Sequence, residues 1–199
     1  HTDVRCADVV SNYSLFENYI NIRTDLTLSD KVANTIKLKL SNDIYEKIFT
    51  VAQSIADNKA SVIYHCLQRM FKYGTSVLHN INDEYIFQFN KIYKKAANEA
   101  HFYIEILRFN ENANGFLTAR IEPDNNIIYM IIDHFNDRLH CENFLIYDVR
   151  RNIAYIHMNN NTAFFYNDYN NELLKQLDDF SDNENDIQNL WIRFYNTIA

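Results

Sequence analysis

Apolar residues recur every three or four positions through the first half of the chain and every second position in parts of the second half. Those two periods predict helices followed by a mixed region. Val32, Ile36 and Leu40 form a stripe behind Ser29, a residue suited to cap a helix over 29–40. A second stripe, Ile44, Ile48, Val51 and Ile55, ends in the polar turn Asp57, Asn58, Lys59. Val62, Cys66, Leu67, Met70 and Phe71 mark a third helix, and Tyr85, Phe89, Ile92, Tyr93, Ala96 and Ala100 mark a longer fourth. Residues 1–101 therefore read as a helical bundle.

After His101 the period changes. Phe102, Ile104 and Ile106 alternate with Tyr103, Leu107 and Phe109, the pattern of a strand buried on both faces. The polar turn 110–115 leads into a second strand over 116–122, closed by Pro123, which makes a β-hairpin. Asp124 can cap a helix with Ile127, Ile128, Ile131, Ile132 and Phe135 on one face, ending near Leu139. Residues 144–147 and 153–158 flank the turn 148–152 as a second hairpin, and the Asn-rich stretch 159–168 reads as a surface loop. Leu173, Leu174, Leu177 and Phe180 predict a short helix. Ile187, Leu190, Trp191, Phe194, Tyr195 and Ile198 predict the last one. The expected class is α+β: an N-terminal helical bundle, then β-hairpin, helix, β-hairpin, and two C-terminal helices. The expectation is one domain over 1–199, with parts 1–101, 102–158 and 159–199.

Composition narrows what such a domain can do. With 47% hydrophobic residues, 14 Phe and 14 Tyr, the 199 residues can fill a core. Two glycines, Gly74 and Gly115, cannot supply the phosphate loops of Rossmann or P-loop proteins. Cys6, Cys66 and Cys141 are widely spaced and odd in number, so neither a disulfide framework nor a zinc knuckle is expected. No apolar run approaches a membrane span, and no leader pattern opens the chain, so a cytoplasmic protein is expected. The formal charge of −7 opposes nucleic-acid binding at first sight. Five acids and one base fall after residue 177, however, which leaves 21 acids and 18 bases before it and room for a local basic face.

Four groups of residues could carry chemistry. Glu99 and His101 at the helix-to-strand junction could form an acid–base pair, or an ordinary junction ion pair. Arg108, in line with Phe102, Ile104 and Ile106, must find a partner; Asp148 or Glu122 would be a structural one and a phosphate a functional one. His134 and Arg138 share a helix face and could clamp an anion, although a solvated edge explains them too. His134 with Asp137 or His140 lacks the pattern of a metal site, and no metal or cofactor is expected. The turn Tyr147, Asp148, Val149, Arg150, Arg151 offers Asp148 as a turn acceptor and two arginines as phosphate contacts.

Taken in order, these residues resemble a known family. The segments are Ser14-Leu15-Phe16-Glu17, Thr24-Asp25, Lys31-Val32-Ala33, Gly74, Glu99-Ala100-His101, Arg108-Phe109, Ile121-Glu122-Pro123-Asp124, His134-Phe135-Asn136-Asp137-Arg138, Ile146-Tyr147-Asp148, Arg151 and Leu190-Trp191-Ile192-Arg193-Phe194. Together they look like the domain of unknown function 4130, a bacterial family linked to DNA metabolism or repair. The resemblance implies a radical-SAM repair protein as partner and, in some relatives, fusion to a uracil-DNA glycosylase domain. The expected function is a DNA-binding or accessory module in which Arg108, Phe109, His134, Arg138 and Arg151, which match family positions, and Arg150 at the hairpin tip meet DNA. One alternative is a base-acting, glycosylase-like enzyme using Glu99, His101 and Asp148. Another is a protein-binding scaffold that docks through the acidic segment 178–186. Family members extend past both ends of this sequence, so a surface completed by those extensions is expected to be missing from it.

Overall fold

In the computed structural model, which describes residues 4–5, 20–111, 116–159 and 162–168, the first helix starts earlier than its spacing suggests. Asp25 takes extended backbone and its carboxylate accepts the Leu28 amide at 3.0 Å, so α1 runs Leu26–Lys39 and Ser29 lies inside it. Ser41 caps α2 (Asn42–Ala52) by accepting the Ile44 amide at 3.1 Å. Helix α3 (Lys59–Tyr73) stops at Gly74, whose φ of 84° is open to glycine and strained for any other residue, and a short 3₁₀ turn follows over Thr75–His79. Asp83 then starts α4 (Glu84–Ile106) by accepting the Tyr85 and Ile86 amides, while its other oxygen meets Arg69 at 2.5 Å.

The chain falls into two compact units, His1–Glu99 and Ala100–Ala199. In the first, most of the stripe residues read from the sequence are buried, but Val32, Ile55 and Phe71 lie exposed at the ends of their stripes. Ile36, Ile44, Ile48, Val51, Val62, Cys66, Met70, Ile86, Phe89 and Ile92 are buried together in one core. Dense packing removes the Cys66 thiol from water and pushes it up to about 12, with Arg69 opposing and Asp83 adding to the rise.

The second unit departs from expectation at its start. Residues 102–106 are the last turns of α4, not a strand. Ala100, Tyr103, Ile104 and Leu107 share a helical face and join the core, while Phe102 and Ile106 point outward at 53% and 45% exposure. The first hairpin is accordingly small. Strand β1 (Asn110–Glu111) pairs antiparallel with β2 (Leu117–Ile121) over two residue pairs, and the tip over 112–115 lies outside the described residues.

Helix α5 (Ile128–Arg138) connects β2 to β3 (Phe144–Asp148), and these two strands pair parallel, Leu117 opposite Phe144 through Ile121 opposite Asp148. A helical crossover is what a parallel pairing requires. Asp124 does not cap α5; the helix begins after Ile127 with no side-chain cap. Strand β4 (Ile153–His157) returns antiparallel to β3, as expected. The stretch expected to be a loop then supplies β5 (Ala163–Asn167), antiparallel to β4. The sheet order is β1-β2-β3-β4-β5. The helices expected over 173–180 and 187–198 lie outside the described residues.

Strand β3 is buried along its whole length. On one face Phe144 and Ile146 join Ala119, Ile121, Tyr155 and the α5 residues Ile128, Ile131 and Phe135. On the other face Leu145 and Tyr147 pack with Phe116, Ala154 and Ile156. Large side chains such as Phe135, Phe144, Ile146 and Ile156 are fully buried here, and at roughly 2 kcal/mol each they are the main source of the unit's stability.

Candidate functional site

A polar cluster forms where the parallel strands end. Asp148, the last residue of β3, has no exposed surface. Its Oδ1 accepts the amides of Arg150 at 3.0 Å and Arg151 at 3.1 Å, the Asx turn that the sequence suggests. Its Oδ2 accepts from Arg151 at 3.0 Å. The Arg151 guanidinium also donates to the Pro123 carbonyl at 3.1 Å and to the Asp124 carbonyl. Arg150 reaches the Asp124 carboxylate at 2.7 Å, and the Val149 amide donates to the Ile121 carbonyl at 3.0 Å. One turn thus staples the exit of β3 to the exit of β2 and the loop before α5.

Burial pushes the Asp148 carboxyl above its ordinary value, and Arg151 with the two turn amides opposes the rise without cancelling it. A carboxylate so enclosed already uses both oxygens on donors of its own fold. Chemically it can hold the turn and fix Arg151; it has no free edge toward solvent from which to position a water.

A second buried polar group lies on the opposite sheet face, and the sequence alone does not signal it. The Tyr147 hydroxyl donates to Asp168 at 3.0 Å and lies 3.4 Å from the Asn152 side chain. Asp168 has no exposed surface, and its amide donates to the Asn152 carbonyl at 2.7 Å. Burial, with the adjacent Asp168 carboxylate second, raises the Tyr147 phenol well above its usual range. Asn152 holds φ at 54°, the left-handed conformation that closes the turn into β4. Reading 163–167 as a strand is the step that would have found this pair, since Ile153 opposite Asn167 brings Asp168 beside Asn152. His157 is also buried, stacked on Phe144 at 4.9 Å with Nδ1 3.1 Å from the Glu142 carbonyl.

The remaining candidate residues sit elsewhere. Glu99 is half-buried in the first unit. His101 is exposed and lies 3.2 Å from Glu105 one turn on, an ordinary helix-surface pair. Of the two readings of Arg108, the structural pair with Asp148 or Glu122 is not the one found: it lies exposed and donates to the Glu105 and Leu107 carbonyls, both at 3.3 Å. Those are groups a helix leaves unpaired at its C-terminal end. Phe109 is half-buried, its ring against Phe135 at 5.3 Å and Phe144 at 5.8 Å, so it packs against the core. His134 and Arg138 are exposed on α5. Eleven residues of helix put Arg138 roughly 15 Å along the axis from the start of α5, where the Asp148 staple lies.

Within the second unit, the Asp148 turn with Arg150 and Arg151 lies toward one end of α5 and Arg138 toward the other. Among the described residues no group of three or more His, Cys, Asp or Glu could hold a metal ion, and no helix is long and apolar enough to cross a membrane.

The described residues define an α+β protein with a mixed five-stranded sheet whose only parallel pairing is bridged by a helix. A family model described as a domain of unknown function, DUF4130, matches residues 57–199, and the chain belongs to that family. The match includes the whole second unit and begins after α2. No curated protein and no solved structure matches the chain.

Proposed function

We propose that the chain is a DNA-binding or accessory module of bacterial DNA repair or metabolism, acting in the cytoplasm with a radical-SAM repair protein. The observation that carries the choice of binding over catalysis is the enclosure of Asp148. The carboxylate most suited to base chemistry by its position at a strand end is fully buried and committed to Arg151 and two amides. Of the other catalytic candidates, His101 is exposed and sits beside Glu105 on the helix surface. The binding surface of the second unit is instead its exposed bases. Arg108, His134 and Arg138 are exposed, and among the described residues no carboxylate holds them. The packing of Phe109 on Phe135 brings the segment carrying Arg108 beside the helix carrying the other two. Arg150 and Arg151 pair with Asp124 and Asp148 and so rank behind these three bases as phosphate contacts.

The test is an electrophoretic titration of duplex DNA across a range of salt, with and without the radical-SAM partner. Binding should weaken as salt rises. Arg108→Ala with Arg138→Ala should flatten the logarithmic salt slope by about 0.9 for each phosphate left without its arginine. No binding at low salt in either condition, or binding that salt leaves unchanged, would overturn the reading. Turnover of a damaged-base oligonucleotide that vanishes in a folded Asp148→Asn variant would replace it with the enzymatic one.

A further inference from the structure

The formal charge of −7 is held unevenly. Residues 1–99 carry 12 Lys and Arg against 11 Asp and Glu, whereas residues 100–199 carry 7 against 15. Within the first unit, the outward face of α4 is more basic still. From Phe87 to Asn98 the sequence has three lysines and no carboxylate, and the exposed positions of that stretch are Phe87, Lys91, Lys94, Lys95 and Asn98. The opposite side, Ile86, Phe89, Ile92 and Ala96, is buried.

Two features of this face are unfavourable for an isolated helix. Lys91 and Lys94 stand three residues apart, neighbours on a helix surface, where like charges repel and a carboxylate at either position would attract. Phe87, one turn before Lys91, is a large apolar residue left 50% exposed. A ligand carrying regularly spaced negative charge and flat aromatic groups relieves both at once. Single-stranded nucleic acid has that chemistry, with phosphates for the ammonium groups and a base for the ring. An anionic membrane fits less well, because a membrane-surface helix lays a broad apolar face into the lipid. The apolar side of α4 here is already inside the protein.

We propose that the outer face of α4 is a contact site for single-stranded nucleic acid, with Lys91 and Lys94 on neighbouring phosphates and Phe87 stacking on a base. This rests on the DNA reading above and adds to it a site in the first unit and a preference for an unpaired strand.

The experiment titrates a fluorescent oligothymidylate with the full chain at several salt concentrations, comparing it with Lys91→Gln/Lys94→Gln, Phe87→Ala and Arg108→Ala/Arg138→Ala. Glutamine has nearly the helix propensity of lysine, so circular dichroism should show the double variant folded. The expected result is at least a tenfold loss of affinity in that variant at low salt. Its salt slope should be shallower by about 1.4, from two phosphates at about 0.7 each on a single strand. Phe87→Ala should weaken oligothymidylate more than duplex. Oligothymidylate binding that the lysine substitutions leave unchanged overturns this site while leaving the DNA reading standing. Failure of the unsubstituted chain to bind either oligonucleotide overturns both. Binding to phosphatidylserine vesicles in place of oligothymidylate also overturns the site.

Discussion

Arg151→Ala isolates the staple at the end of the parallel strands. Asp148 is fully buried, and the Arg151 side chain retains about a fifth of its exposure. Truncating the arginine leaves a buried carboxylate with two turn amides and no countercharge. Removing one partner of a buried pair costs about 3–5 kcal/mol. The amides of Arg150 and residue 151 remain, and the Pro123 and Asp124 carbonyls regain water, so the lower end, about 3 kcal/mol, applies. That is a large share of a typical total of about 5–15 kcal/mol.

Urea denaturation followed by circular dichroism measures the loss, and its pH dependence identifies the cause. The folded-state value for Asp148 lies above the unfolded one, so its burial costs nothing below the unfolded range near ~3.9. The cost grows as pH rises through the folded-state value. Without Arg151 the folded value climbs further, so the deficit of Arg151→Ala should be smallest in acid and widen toward neutral pH. Adding Asp148→Asn, which keeps the turn acceptor without charge, should recover part of the loss at neutral pH. A deficit below about 1 kcal/mol, or one that is the same at about pH 5 and about pH 8, would refute the claim that this carboxylate depends on Arg151.

Tyr147→Phe removes the hydroxyl donor to the buried Asp168 and should cost about 2 kcal/mol in chemical denaturation, as hydrogen bonds to charged groups do. Asn152→Gly should be nearly neutral, whereas Asn152→Ala should lose about 1 kcal/mol, because φ at that position is 54°. Thermal denaturation of the two side by side checks the sign. Cys66, buried and with its thiol raised to about 12, should resist a thiol reagent at neutral pH until the protein unfolds. Exposed Cys141 should react in the native state, and peptide mapping by mass spectrometry tells the two apart.

The helices are legible in the sequence because their stripes are long and their caps are short-range. Ile44, Ile48 and Val51 lie in the core as their spacing predicts. Residues 102–106 mislead for a physical reason: in a run this rich in apolar residues, period two and period 3.6 both find matches. The face that packs is Ala100, Tyr103, Ile104 and Leu107, and the apparent strand face of Phe102 and Ile106 looks outward. Strand β5 is hidden by the asparagines around Ala163, Phe164, Phe165 and Tyr166. At the candidate site, the Asx turn of Asp148 is legible because its partners are two and three residues away. The reach of Arg151 to Pro123 and Asp124 is not, since it depends on which strands pair across α5.

The order of the sheet also bears on how the unit assembles. Strands β3, β4 and β5 close on one another through short connections, while β2 joins only across a whole helix. Local pairings cost less chain entropy than distant ones, so the three-stranded meander should form first and β2 should dock last. The Arg151 bonds to the loop after β2 would then belong to the final step. Their loss should appear mainly as faster unfolding, with the refolding rate nearly unchanged in stopped-flow measurements.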